Sequence, residues 1–170
     1  MNLAFALGLV ALLGIAALSD LWHRRIPNEI PASVALLWLI ALALGAAGLP
    51  LLGLATGLGL LVAGILVWRL GWLGGGDVKL IAALGLWAGP GHLPFLLLGI
   101  AFAGGVLALA ACFVARLAAW PPTTYAIAAA GRFLPALSPS LATAWHRHGL
   151  PYGIAVACGG AWLVHCLVLA

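Results

Sequence analysis

Residues 2–25 read NLAFALGLVALLGIAALSDLWHRR, an apolar run from about residue 2 to residue 20 that is closed by Asp20 and followed by His23-Arg24-Arg25. A helix needs about 20 residues of this kind to cross a hydrocarbon core ~30 Å thick, so the stretch reads as a membrane-spanning helix. No Lys or Arg precedes the run, and the basic residues follow it. It therefore reads as a retained helix with its N-terminus outside, not as a cleaved signal peptide.

The rest of the chain has the same character. Of its 170 residues 66% are hydrophobic and 6% charged, and the mean hydropathy is +1.25. That leaves too little polar surface to coat a soluble domain and makes the chain an integral membrane protein. Further apolar runs lie at about 31–49, 51–70, 77–91, 93–115 and 151–169. Together these predict an all-α, polytopic fold: one membrane-embedded domain over 1–170 with about six spans, the fourth of them short. Threaded through a bilayer, this order puts Arg24, Arg25, Arg69, Lys79, Arg116, Arg132 and Arg147 on one side, which the positive-inside rule makes the cytoplasm.

The outer connections are then Gly48-Leu49-Pro50 and Gly89-Pro90-Gly91-His92, and the inner ones Leu21–Ile30, Gly71–Gly76 and the long stretch 116–150. Prolines 121, 122, 135 and 139 break that last stretch, which predicts short helices in the interface. Trp120, Tyr125 and Trp145 would sit at headgroup level, with Arg132, His146, Arg147 and His148 toward lipid phosphates. The net charge of +4 suits an anionic inner leaflet. No basic run is interleaved with stacking aromatics, so no nucleic-acid partner is expected.

Against this background the chain has three acidic residues, Asp20, Glu29 and Asp77. An ionisable group at membrane depth costs roughly 2.5–3.5 kcal/mol on insertion scales and is by default a functional-site hypothesis. Asp77 ends the turn Gly74-Gly75-Gly76, which allows tight bending and close approach, and the residues after it restart a helix. Capping that helix would explain Asp77 on its own. Asp20 lies near the C-terminal end of its helix, where the macrodipole disfavours an anion and no capping role exists for it. A local pair with Arg24 four residues on is one explanation, and a buried partner across the bundle is another. If Asp20 and Asp77 meet, repulsion lets the pair hold a single proton near neutrality, one carboxyl serving as base and the other as acid. Such a pair can activate water against a peptide carbonyl with neither metal nor nucleophilic side chain.

Other residues carry weaker signals. Arg24 and Arg25 serve as topology signals, and Pro27-Asn28 reads as a turn. Lys79 either tunes the aspartates electrostatically or snorkels from another helix face. Glu29 reads as a surface charge, and Ser19 lacks a matched base. Cys112, Cys158 and Cys166 have no CxxC spacing and read as packing residues. The histidines are scattered over both sides, so no metal site and no cofactor are expected. Pro151 suits the first turn of the last helix, where Gly153, Ala155, Ala157, Gly159 and Gly160 allow close packing. Tyr152 could reach the aspartates if the fold brings it near. Gly53, Gly57, Gly59 and Gly64 likewise read as helix-packing positions.

Three blocks are joined by a resemblance: Asp20 with Arg24-Arg25-Ile26-Pro27-Asn28, then Gly74-Gly75-Gly76-Asp77-Val78-Lys79-Leu80, then Leu150-Pro151-Tyr152-Gly153-Ile154-Ala155. In this order they resemble a type IV prepilin peptidase, in the short branch associated with tight-adherence (Flp-type) pili. The resemblance implies a membrane aspartic endopeptidase of the bacterial inner membrane that removes the basic leader of prepilins or pseudopilins at the cytoplasmic face, cutting after a glycine. It implies Asp20 and Asp77 as the catalytic pair, with Gly74 and Gly76 shaping the turn that presents Asp77. Longer members also methylate the new N-terminus and carry paired CxxC motifs, which this chain lacks. Two other readings stay open. Pro135-Ala136-Leu137 matches a tripeptide of presenilin-type proteases, and membrane aspartates also serve small proton- or cation-coupled transporters.

Overall fold

The computed structural model describes residues 2–47, 49–118 and 152–169. Within them the chain is helical: α1 (Leu3–His23), α2 (Glu29–Ala43), α3 (Pro50–Arg69), α4 (Gly75–Ala118) and α5 (Tyr152–Leu169). It forms two compact units, Met1–Gly104 with Pro151–Ala170, and Gly105–Leu150. The first holds α1, α2, α3, α5 and α4 as far as Gly104. The described part of the second is the remainder of α4. The interfacial helices expected in the rest of 116–150, with Trp120, Tyr125, Arg132, Trp145, His146, Arg147 and His148, lie outside the described residues.

Local chemistry sets the helix ends. Helix α1 stops where Arg24 turns left-handed (φ 53°) and its N–H donates to the Asp20 carbonyl at 3.0 Å. Helix α2 stops at Gly45 (φ 69°), with Gly45 N–H on Leu42 O at 3.0 Å and Ala46 N–H on Ala41 O at 2.7 Å. Helix α3 ends the same way at Gly71 (φ 76°), through Gly71 N–H on Trp68 O at 2.9 Å and Trp72 N–H on Val67 O at 3.3 Å. These paired bonds are Schellman caps, in which glycine takes the left-handed position without a side-chain penalty.

Among the described residues four helices are long and apolar enough to cross a membrane: α1, α3, α4 over Gly75–Leu117, and α5. The six expected spans are met in part: α2 is shorter than its apolar run, and the runs 77–91 and 93–115 are two helices that meet at a kink within α4. The run 31–49 is helical over Glu29–Ala43, 15 residues, because the Gly45 cap ends it early. The expected loop at Gly89-Pro90-Gly91-His92 is a single break inside α4, where Gly89 alone leaves helical geometry (φ 53°, ψ −176°). Pro90 follows at once, where a proline suits the first turn of the resumed helix, so no connection of four residues forms.

In the first unit α1 packs on α5 and on α2. Leu9, Leu13, Val34, Leu80, Leu84, Leu96, Val156 and Leu163 are sealed from the surface. Lipid tails are as apolar as leucine, so helices in a bilayer associate by packing and hydrogen bonds, which favours small residues at contacts. A side-chain carbon at Gly57 would stand 3.1 Å from the Ala82 carbonyl, and one at Gly159 would stand 2.6 Å from the Ile100 nitrogen. Gly53, Gly57, Gly64, Gly159 and Gly160 are thus packing positions as expected, whereas Gly59 has nothing within 4 Å. Large apolar side chains face outward on the helices, among them Leu7, Leu18, Leu39, Leu58, Leu66 and Phe102, as a lipid-facing surface requires. Cys112 and Cys158 are also exposed, which corrects their reading as packing residues, while Cys166 is half-buried.

Candidate active site

Asp20 and Asp77 are the buried charged side chains among the described residues, 8% and 9% exposed. They enter one cavity of about 230 Å³ from two elements: Asp20 from the last turn of α1, Asp77 from the first turn of α4. Arg24, Arg25, Ile26, Gly74, Gly75 and Gly76 complete the lining. The Asp77 carboxyl lies close enough to feel the charge of Asp20.

The two acids are held by different means. Asp77 is the third residue of α4, and the first helical bond runs from Val78 N–H to Gly74 O at 3.1 Å. Gly74 is thus the residue that begins the helix, and its N–H faces the Asp77 carboxylate, as in the reciprocal half of a capping box. Asp77 is therefore three positions inside the helix and not the cap itself. Its Oδ1 is buried with no hydrogen-bond partner among the described residues. An unpaired buried acceptor is costly, which marks it as a group reserved for chemistry or for a ligand.

Asp20 has the partner across the bundle that the sequence left open. Its Oδ2 accepts the Gly153 N–H at 2.8 Å, and the N–H of Ile154 faces the same carboxylate. The anion that α1 disfavours at its own C-terminal end lies on the positive amino end of α5. Asp20 does have a capping role, on a helix other than its own. Arg24 adds a favourable charge nearby.

The glycine turn is selective. A side-chain carbon at Gly74 would stand 2.8 Å from Asp77 Oδ2, and one at Gly76 would stand 3.0 Å from Ile26 Cβ and 3.2 Å from the Ile26 carbonyl. At Gly75 the nearest atom is Trp68 Nε1 at 3.6 Å, an ordinary contact. Gly76 thus lets α4 start against the turn that follows α1, and this brings the two aspartates together.

Other candidates lie elsewhere. Lys79 Nζ donates to Asn28 Oδ1 at 2.8 Å, joining the start of α2 to α4; neither residue lines the cavity, and neither does Pro27. Ser19 Oγ donates to the Arg25 carbonyl at 2.9 Å, bracing the turn. Tyr152 does not line the cavity; its ring lies by Gly104. Pro151 lies outside the described residues. No group of three or more His, Cys, Asp or Glu that could hold a metal occurs among the described residues. Sequence reasoning missed Ile26 as a wall of the site and the amino end of α5 as the partner of Asp20. The block Pro151-Tyr152-Gly153, which sequence patterning presents as a packing turn, carries that second signal.

Comparison with known families gives a match between residues 7–109, more than half of the chain, and the model of the type IV leader peptidase family. No curated protein and no solved structure matches the chain.

Proposed function

The chain belongs to the type IV leader peptidase family, and from that premise we propose that it is a membrane aspartic endopeptidase. It cuts the leader from type IV prepilin-like proteins after a glycine, at the cytoplasmic face of a bacterial inner membrane, using Asp20 and Asp77 as a catalytic pair. One observation carries this reading: the buried acids of the described residues line a single cavity although 57 positions separate them in sequence. Burying two like charges together is unfavourable unless they share a proton, and a shared proton supplies a base and an acid at once.

The ionised carboxylate takes a proton from water as the water oxygen bonds to the scissile carbonyl carbon, and the protonated carboxyl donates its proton to the carbonyl oxygen. The resulting diol collapses as the C–N bond breaks: the protonated carboxyl gives its proton to the leaving nitrogen while a diol hydroxyl gives its proton to the ionised carboxylate, so the pair again holds one proton. A cavity of about 230 Å³ walled on one side by Gly74, Gly75 and Gly76 suits a substrate residue without a side chain at the cut. The apolar helix that follows a prepilin leader would lie along the outward-facing leucines, among membrane lipids. The leader-peptidase match supports this reading over a presenilin-type protease or a transporter. Methyl transfer is no part of it, since the chain lacks paired CxxC motifs.

The test is cleavage of a candidate prepilin in proteoliposomes. Asp20→Asn and Asp77→Asn, each shown to insert and fold, are expected to lose roughly a hundred- to ten-thousand-fold in rate. Near-normal cleavage by either variant would overturn the pair mechanism.

A further inference from the structure

The chemistry above uses two carboxyls on α1 and α4, yet the group that holds one of them belongs to neither helix. Gly153 N–H donates to Asp20 Oδ2 at 2.8 Å. A side-chain carbon at position 153 would stand 2.8 Å from each of Asp20 Cβ, Cγ and Oδ2, well inside the ~3.5–4.0 Å at which carbon atoms pack. Further along α5, Gly159 already abuts the Ile100 backbone of α4, which limits movement of α5 in that direction. A side chain at 153 therefore forces Asp20 or the amino end of α5 out of its place.

We propose that Gly153 is a positioning residue for the peptidase reaction: its N–H, at the amino end of α5, fixes the Asp20 carboxyl toward the cavity shared with Asp77, and only glycine leaves room for that contact. The proposal rests on the aspartate-pair reading for its catalytic part, while the contact itself is independent of it. Glycine is a poor helix former and alanine the best. Without the contact, Gly153→Ala would be expected to stabilise α5.

The test is a double-mutant cycle read by thermal unfolding in detergent or lipid, joined to cleavage kinetics. Gly153→Ala is expected to lower Tm in the parent protein, and to leave it unchanged or raise it where Asp20→Gly has removed the facing side chain. In cleavage, Gly153→Ala should lower kcat about 100-fold, with KM changed by less than about twofold, because substrate binding is untouched. An equal fall in Tm in both backgrounds, or wild-type kcat in Gly153→Ala, overturns the proposal. If Gly153→Ala alone fails to insert, the double variant decides: recovered folding supports the contact, and continued failure overturns it. The thermal cycle needs no substrate, so a wild-type protein that cuts no prepilin would defeat the proposed function while the contact was still being measured.

Discussion

Three adjacent glycines look alike in sequence and differ in space. The carbon that alanine adds would strike Asp77 Oδ2 at position 74 and Ile26 at position 76, but would meet only an ordinary contact at position 75. Gly75→Ala is therefore expected to cleave within about twofold of the parent. Gly74→Ala and Gly76→Ala should lose roughly ten- to a hundredfold, since displacing a catalytic group by 1 Å costs on that order. Steady-state kcat/KM on one prepilin substrate would check this, and a Gly75→Ala defect equal to the other two would refute the assignment. The aspartates themselves were legible from scarcity and from the cost of burying charge. Their partners were less so, because a backbone N–H leaves no mark in a sequence. Helix polarity leaves Asp20 without a cap to make on its own helix, and the cap it makes is on α5, 133 residues further on. Lys79 could be read as tuning the acids or as lying apart from them. Its bond to Asn28 sets it apart, on the wall where α2 meets α4.

At the scale of helices, the positions of apolar runs were legible and their ends were not. Schellman caps at Gly45 and Gly71 and the break at Gly89 are backbone events at glycines, and this chain has 23 glycines to choose from. Which glycines pack and which are idle also depends on the partner helix. A carbon at Gly57 would stand 2.6 Å from Leu86 Cδ2 and 3.1 Å from the Ala82 carbonyl, whereas Gly59, two residues on and facing outward, meets nothing within 4 Å. Gly57→Ala should therefore destabilise the bundle by about 1–3 kcal/mol, the usual cost of overpacking. Gly59→Ala should leave stability unchanged or raise it by up to about 1 kcal/mol, the helix-interior difference between glycine and alanine. Thermal unfolding of the two variants side by side checks the pair, and similar losses in both would show that α3 does not approach α4 as described.

For the membrane unit as a whole, the shared cavity constrains the path of the chain. The end of α1 and the start of α4 both line it, so both lie on one side of the bilayer. Helix α3 has 20 residues, is apolar enough to cross, and delivers the chain to α4. The segment between α1 and α3 must then carry the chain to the opposite face first. Helix α2 has 15 residues, about 22 Å of helix, which falls short of a ~30 Å core. The residues between Ala43 and Pro50 must complete the crossing, helped by local thinning of the bilayer. Single cysteines placed at Pro27, Leu73 and Ala46, in a background without Cys112, Cys158 and Cys166, test this with a membrane-impermeant thiol reagent on intact cells. Positions 27 and 73 should resist labelling until the membrane is opened, and position 46 should label directly. Labelling of 27 and 73 from opposite sides would break the shared cavity, and with it the pairing of Asp20 and Asp77. Labelling of all three from one side would instead make α2 a surface helix and require a different course for α3.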